Sequence, residues 1–207
     1  MSTKDQVTVV HTLKTADIHV PANTRLTYVA LLQEGWEEKQ TLNFYCDGEN
    51  SEVNFLAFIL AKDEQIFHFE TISNHTVPHT NAYYTIRAAM FDKSRVDYRG
   101  QLNIKPKAQQ TDSYLAHHSL MLSKDAKVNT VPCLEIEADD VKAGHAATIG
   151  KVDEDMLFYL ATRGIAEKEA QHMLIQGFME TDLKKIPNEE IQQQLAKEIE
   201  LCLNRKQ

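Results

Sequence analysis

The feature that most limits the fold of this chain is a repeat. Val96, Leu102 and Ile104 recur as Val128, Leu134 and Ile136, each 32 positions later, and Met90 recurs as Leu122 in the same register. A looser copy precedes them: "ILAKDEQI" at 59–66 resembles "AMFDKSRV" at 89–96, an offset of 30. Every copy reads apolar strand, short charged turn, apolar strand. Self-similarity with a period of about 20–50 residues is a signature of stacked coils. A single coil has nothing to bury its apolar face against, whereas a stack makes a continuous core. The region from Val7 to Ile149 therefore reads as a β-solenoid of the β-helix kind. Strand pairing is invisible in a sequence, so an antiparallel sandwich stays open as the alternative.

Local composition agrees with strands. "VTVV" (7–10), "TLNFYC" (41–46), "VNFLAFIL" (53–60), "IFHFETI" (66–72), "YYTIRAAMF" (83–91), "QLNI" (101–104) and "CLEIEA" (133–138) are rich in β-branched, aromatic and alternating residues. Polar punctuation separates them: "CDGEN", "AKDEQ", "FDKSR" and "LSKDAK". With 7 glycines the chain is too poor in glycine for a series of tight Asn-Gly or Asp-Gly hairpins. No amphipathic helix interrupts the strands, which argues against a doubly wound α/β fold.

The texture changes near residue 150, giving a β-helix core over 1–150 and a helical domain over 151–207. Asp153 is a good N-cap, with Glu154 and Asp155 in the positive first turn. Met156, Leu157 and Leu160 form an apolar stripe, and Arg163-Gly164 closes the helix. A second helix carries Ala170, Met173, Leu174, Gly177 and Phe178 at helical spacing. A third starts near Pro187-Asn188 and aligns Ile191, Leu195, Ile199 and Cys202 or Leu203. Part of this apolar surface is expected to pack on the end of the solenoid, and the rest to present a docking surface.

Composition narrows the function classes. A net charge of −8 and a pI near 5.6, with the basic residues scattered, argue against a nucleic-acid or anionic-membrane surface. No segment approaches the ~20 apolar residues of a membrane span. The N-terminal "MSTKDQVTVV" lacks the apolar core of a signal peptide. Cys46, Cys133 and Cys202 form no CxxC and no even framework. A cytoplasmic chain is expected. A secreted β-helix polysaccharide enzyme, the rival in this architecture, would carry a signal peptide. No Gly-rich phosphate loop is present, so the chain itself is not expected to bind a nucleotide, and neither GxSxG nor HExxH appears. A Ser-His-Asp triad, whose members can lie far apart in sequence, stays open, but nothing points to one and no enzyme is expected.

Among 9 histidines, three groups draw notice. On a strand His117 and His118 point to opposite faces, so the two do not bind one metal together. His75 and His79 have ligand-like spacing, but Pro78 between them favours a plain loop. His145 is flanked by Gly144, Ala146 and Ala147, which leave its imidazole sterically open. Imidazole ligates iron, copper and zinc, and the competing reading is a turn histidine satisfied by backbone. Cys133 reads either as a thiolate ligand or as a small half-buried hydrophobe. Cys202 reads as packing.

The run from Tyr98 to Phe178 resembles the SufB/SufD family of iron–sulfur cluster assembly proteins. The pieces "PCLEIEADDVKAGHAATIG" and "DEDMLFYLATRGI" carry the resemblance most specifically, and "HFETISNHTVPHT" also resembles a family segment. The chain is similar to the SufD branch: His117 stands where SufB-like members have a cysteine, and Ala146 where they have a glutamate. The resemblance implies a right-handed parallel β-helix followed by C-terminal helices, in a short form without the family's N-terminal helical domain. It implies a complex with a SufC-type ABC ATPase held by the C-terminal helices. It also implies edge-to-edge pairing of the β-helix with a SufB-like subunit, or with a second copy of this chain. Stable clusters typically take four ligands, mostly cysteines, which three scattered cysteines do not supply. The expectation is a transient cluster shared across that interface, with no permanently bound cofactor. Its candidate ligands here are His145, His117 and Cys133. The candidate ATPase contacts are Leu157, Tyr159, Arg163 and Phe178. The alternative is an architectural adaptor that docks the ATPase and binds no cluster.

Overall fold

The computed structural model describes residues 3–204. Eleven strands precede three helices. The odd strands are β1 (Lys4–Val10), β3 (Thr24–Leu32), β5 (Glu52–Ala61), β7 (Asn81–Met90), β9 (Asp112–Met121) and β11 (Lys142–Lys151). The even strands are β2 (Ala16–Val20), β4 (Trp36–Cys46), β6 (Ile66–His75), β8 (Arg95–Ile104) and β10 (Lys127–Ile136). Odd strands make one sheet and even strands the other, each in sequential order, and every neighbouring pair is parallel. The chain thus alternates between two facing sheets and climbs one strand per visit. This is the expected β-solenoid, and the antiparallel sandwich is excluded.

The repeat is the hydrogen-bond register. Val96, Leu102 and Ile104 align with Val128, Leu134 and Ile136. Two of the expected matches were offset. Met90 aligns with Met121 rather than Leu122, and Ile66 with Arg95, so the earlier coil advances by 29. Corner length accounts for the difference. The corner over 105–111 has seven residues against five at 76–80, and that over 122–126 has five against four at 91–94.

Those corners explain how a glycine-poor chain turns so often. Asn23, Asn50, His79 and Gln110 stack at one corner, all with φ between 56° and 59°. Asp63 and Asp92 do the same at another, with φ of 54° and 49°. Asn, Asp and His are the non-glycine residues that enter this left-handed region most readily. Each corner also bonds to the next: the Asn23 N–H donates to the Glu49 carbonyl at 3.0 Å, and that of Asn50 to the His79 carbonyl at 3.1 Å.

The interior is rich in aromatic side chains. Phe44, Phe55 and Tyr84 meet with ring centroids 5.7–5.8 Å apart in tilted and edge contacts. The run "FLAFILA" (55–61) is apolar throughout because that part of β5 is buried on both faces. Val53, Phe55, Ala57 and Ile59 point into the solenoid, and Leu56, Phe58 and Leu60 point out against the helices.

The helices are α1 (Glu154–Thr162), α2 (Glu167–Leu183) and α3 (Glu189–Asn204). As expected, the Asp153 carboxylate accepts from the Asp155 and Met156 N–H groups, and Gly164 takes φ 82° just past α1. Helix α3 buries Leu195, Ile199, Cys202 and Leu203, the face its spacing gave. The expected packing on the solenoid's end is not what forms. Helices α2 and α3 lie along the flank, on the outer face of the odd sheet, because that face offers Leu31, Leu56, Phe58 and Leu60. The buried stripe of α2 is also rotated from expectation. It runs through Ala170, Ile175, Met179 and Leu183, leaving Met173 and Gly177 exposed, because α2 must touch both the sheet and α3.

Candidate functional site

With the helices on the flank, the last coil is left open. Among the described residues no strand pairs with the outer edges of β10 and β11. Inward-facing residues there have a neighbouring layer on one side only. Leu134 is 37% exposed and Ile136 41%, while Leu102 and Ile104, one coil down in the same rows, are fully buried. Ile149 is 54% exposed above the buried Ser119. The end of the solenoid is an apolar core section facing outward.

His145 stands in this section. It is exposed on β11, aligned with the inward-facing Leu115 of β9. His117 is one layer deeper, aligned with Ala147 and almost fully buried. The two imidazoles therefore share the inward face of adjacent strands. The His117 ring meets Tyr98 edge-on at 5.5 Å, and its Nε2 lies 3.1 Å from Ser119 Oγ. Burial, with a smaller contribution from His118, lowers the His117 pKa to about 4, so the ring is neutral at neutral pH. His118 turns outward, as alternation requires, and lies 2.7 Å from Thr148 Oγ1.

Cys133 is not brought to the histidines. It aligns with Gln101, whose row lies on the outer face of the even sheet, while its neighbour Leu134 takes the inward position. Among the described residues no group of three His, Cys, Asp or Glu side chains is gathered as metal ligands. His75 is not the plain loop residue expected. It is fully buried, with Ser73 Oγ 2.9 Å from Nε2 and Thr80 Oγ1 2.7 Å from Nδ1, and burial lowers its pKa to about 4. His79 is a left-handed corner residue.

A second surface lies on α1, which buries none of its residues. Of the expected docking residues, Tyr159 and Arg163 are exposed, with the guanidinium 5.2 Å from the ring centre. Leu157 is half-buried, lining a 210 Å³ cavity with Met121, Leu122 and Val152. Phe178 is half-buried over the Arg87 guanidinium. The exposed large apolar side chains here are instead Met156, Phe158 and Tyr159 on α1 and Met173 on α2, with Phe158 72% exposed. Sequence reasoning placed Met156 and Met173 in apolar stripes without dividing packing from docking residues. The apolar positions around α1 are more than one face can bury.

The fold and its open end define a parallel β-solenoid whose last coil leaves apolar residues and a histidine exposed. A family model described as the SUF system FeS cluster assembly SufBD core domain matches residues 2–178, and the chain belongs to that family. It is 32% identical over 153 residues to the iron–sulfur cluster assembly protein SufD of Escherichia coli, covering 74% of this chain and 36% of that protein. It is 32% identical over 162 residues to SufD of Bacillus subtilis, covering 78% and 37%. A SufBD family protein of Mycobacterium leprae is 29% identical over 183 residues, covering 84% and 47%. The chain thus spans between about a third and a half of the length of these relatives.

Proposed function

We propose that this chain is a SufD-like subunit of a cytoplasmic scaffold on which a nascent iron–sulfur cluster is built and released. The observation that carries the reading is the open last coil, where Leu134, Ile136 and Ile149 are exposed beside His145 although the rows beneath them are core. Unpaired parallel edges and an apolar end suit edge-to-edge pairing with a SufB-like subunit or a second copy of this chain. The cluster is cargo: His145 and His117 supply imidazole, and the partner supplies the remaining ligands. The exposed Phe158 and Tyr159 of α1 suit a SufC-type ABC ATPase.

Co-expression with the SufB-like and SufC-type proteins of its host tests this reading. The expected result is one co-eluting complex that takes up iron and sulfide on anaerobic reconstitution, with uptake reduced by His145→Ala. A complex whose iron and sulfide are unchanged by His145→Ala would favour the adaptor alternative. Absence of any complex would reject both. Removing the helices is not a usable test, because α2 and α3 cover Leu31, Leu56, Phe58 and Leu60 and their loss would expose the flank.

A further inference from the structure

Two buried polar atoms near the open end are not satisfied by the fold. Among the described residues His117 Nδ1 and Thr130 Oγ1 have no hydrogen-bond partner. Buried polar groups are almost always paired, so an orphaned imidazole nitrogen beneath an opening can take a partner from outside the fold. Both atoms belong to neighbours of Tyr98. Thr130 aligns with Tyr98, and the Tyr98 ring contacts His117 at 5.5 Å. Thr130 stands on the outermost even strand, one layer above Tyr98, and His117 stands one layer below β11.

The route outward is lined by small groups. Ala147 is the register neighbour above His117, so only a methyl separates that row from solvent. His145 is one diagonal step away on the adjacent strand. Strand spacing and rise put the two backbones about 8 Å apart, a span two imidazoles can close around one ion. Ser119 Oγ lies 3.1 Å from His117 Nε2, and in the tautomer whose Nε2–H donates to it Nδ1 carries a bare lone pair, the form that ligates a metal.

We propose that His117 Nδ1 and His145 bind one divalent transition-metal ion within a single chain, with Thr130 Oγ1 hydrogen-bonded to a water on that ion. This deepens the scaffold reading, on which its biological meaning rests, by naming the form in which metal first arrives. Two imidazoles leave the rest of the coordination sphere to exchangeable groups such as water, sulfide or a partner's thiolate. Borderline ions of the Fe²⁺, Co²⁺ and Zn²⁺ kind fit such a donor pair. Cys133, on the outer face, takes no part.

The test is Co²⁺ titrated anaerobically into the full chain alone, followed by its visible absorption. One equivalent should bind, at least tenfold more weakly in His145→Ala and His117→Asn and unchanged in Cys133→Ser. Should His117→Asn not fold, Zn²⁺ added to wild-type protein with ¹⁵N-labelled histidine gives the same answer: ring nitrogens of His117 and His145 should shift together. No saturable Co²⁺ uptake, uptake indifferent to His145→Ala, or a His117 resonance that Zn²⁺ leaves in place would overturn the proposal. Any of these would leave complex formation with the partner proteins untouched. Conversely, lost complex formation with intact Co²⁺ uptake would sink the scaffold reading alone.

Discussion

Asp182 of α2 is buried against Arg87 of β7, and the same guanidinium lies 4.7 Å from the centre of the Phe178 ring. This is where the helical flank is fastened to the solenoid. Burial alone would raise the Asp182 pKa, but hydrogen bonds from Lys185 and Arg87 and their charges outweigh it and hold the carboxyl below its usual range. Asp182→Ala should cost about 3 kcal/mol in urea unfolding, since it leaves a largely buried guanidinium unpaired. A depressed carboxyl stabilises fully above its unfolded pKa of about 3.9 and loses that contribution as pH falls through the folded value. The gap between wild type and Asp182→Ala should therefore close below about pH 4; a gap that persists there would show that the ion pair is not its source.

His75 and His117 give a second pH dependence, at higher pH. Both are buried and neutral, with pKa values lowered to about 4 chiefly by burial. The unfolded chain takes up these protons near pH 6.5 and the folded chain only near 4. Stability should therefore fall as pH drops from about 6.5 to 4, by about 3 kcal/mol for each histidine. Urea midpoints across that range should show a shallower slope in His117→Asn than in wild type. Parallel slopes would mean that His117 is not buried as described.

Two interior tyrosines should respond oppositely to loss of the hydroxyl. Tyr98 OH lies 2.6 Å from Thr71 Oγ1, whereas the buried Tyr84 OH has no partner among the described residues. Tyr98→Phe strands the Thr71 hydroxyl and should cost about 1–2 kcal/mol. Tyr84→Phe removes an unpaired group and should be neutral or stabilising. A comparable loss in both would point to an ordered water on Tyr84.

How much of this was legible follows from which signals are local. The repeat of Val96, Leu102 and Ile104 showed the solenoid because register partners face one environment and converge on one residue type. Its exact step was hidden, since corners absorb one or two residues without disturbing the ladder. Strand β11 was the hardest to read. "KAGHAATIGK" has little β-propensity, and it is extended because β9 pairs with it. The position of the helices was decided by a surface far away in sequence. The one clue was the unbroken apolar run of β5, which implied a cover on its outer face. His145 stood out through its small neighbours. The orphaned Nδ1 of His117 is a property of packing and has no signature in the sequence.

Gly100 makes room for the site's floor. A Cβ there would lie 2.0 Å from Leu115 Cδ1 and 2.7 Å from Tyr98 OH. Leu115 is the residue aligned beneath His145. Gly100→Ala must displace one or both side chains, an overpacking that should cost about 1–3 kcal/mol. Co²⁺ uptake by a folded Gly100→Ala protein should weaken as well, because the layer under His145 has moved. Wild-type thermal stability in this variant would show that the last coil is looser than its register implies.

The α1 patch separates docking from folding more cleanly than any solenoid position does. Phe158 is 72% exposed, and α1 buries none of its residues. Phe158→Asp should therefore leave the urea midpoint within about 0.5 kcal/mol of wild type. Exposed aromatic residues that anchor a partner commonly contribute 2 kcal/mol or more, so affinity for a SufC-type ATPase should fall by at least about 30-fold. Leu201 supplies the control. It is exposed on α3, a different helix from Phe158, and Leu201→Asp removes a comparable apolar group. Calorimetric titration of the ATPase into each variant should show loss with Phe158→Asp and retention with Leu201→Asp. Equal loss in both would mean that the ATPase responds to general surface hydrophobicity. Retention in both would move the docking site away from α1, and the open end of the solenoid would then be the surface to probe for it.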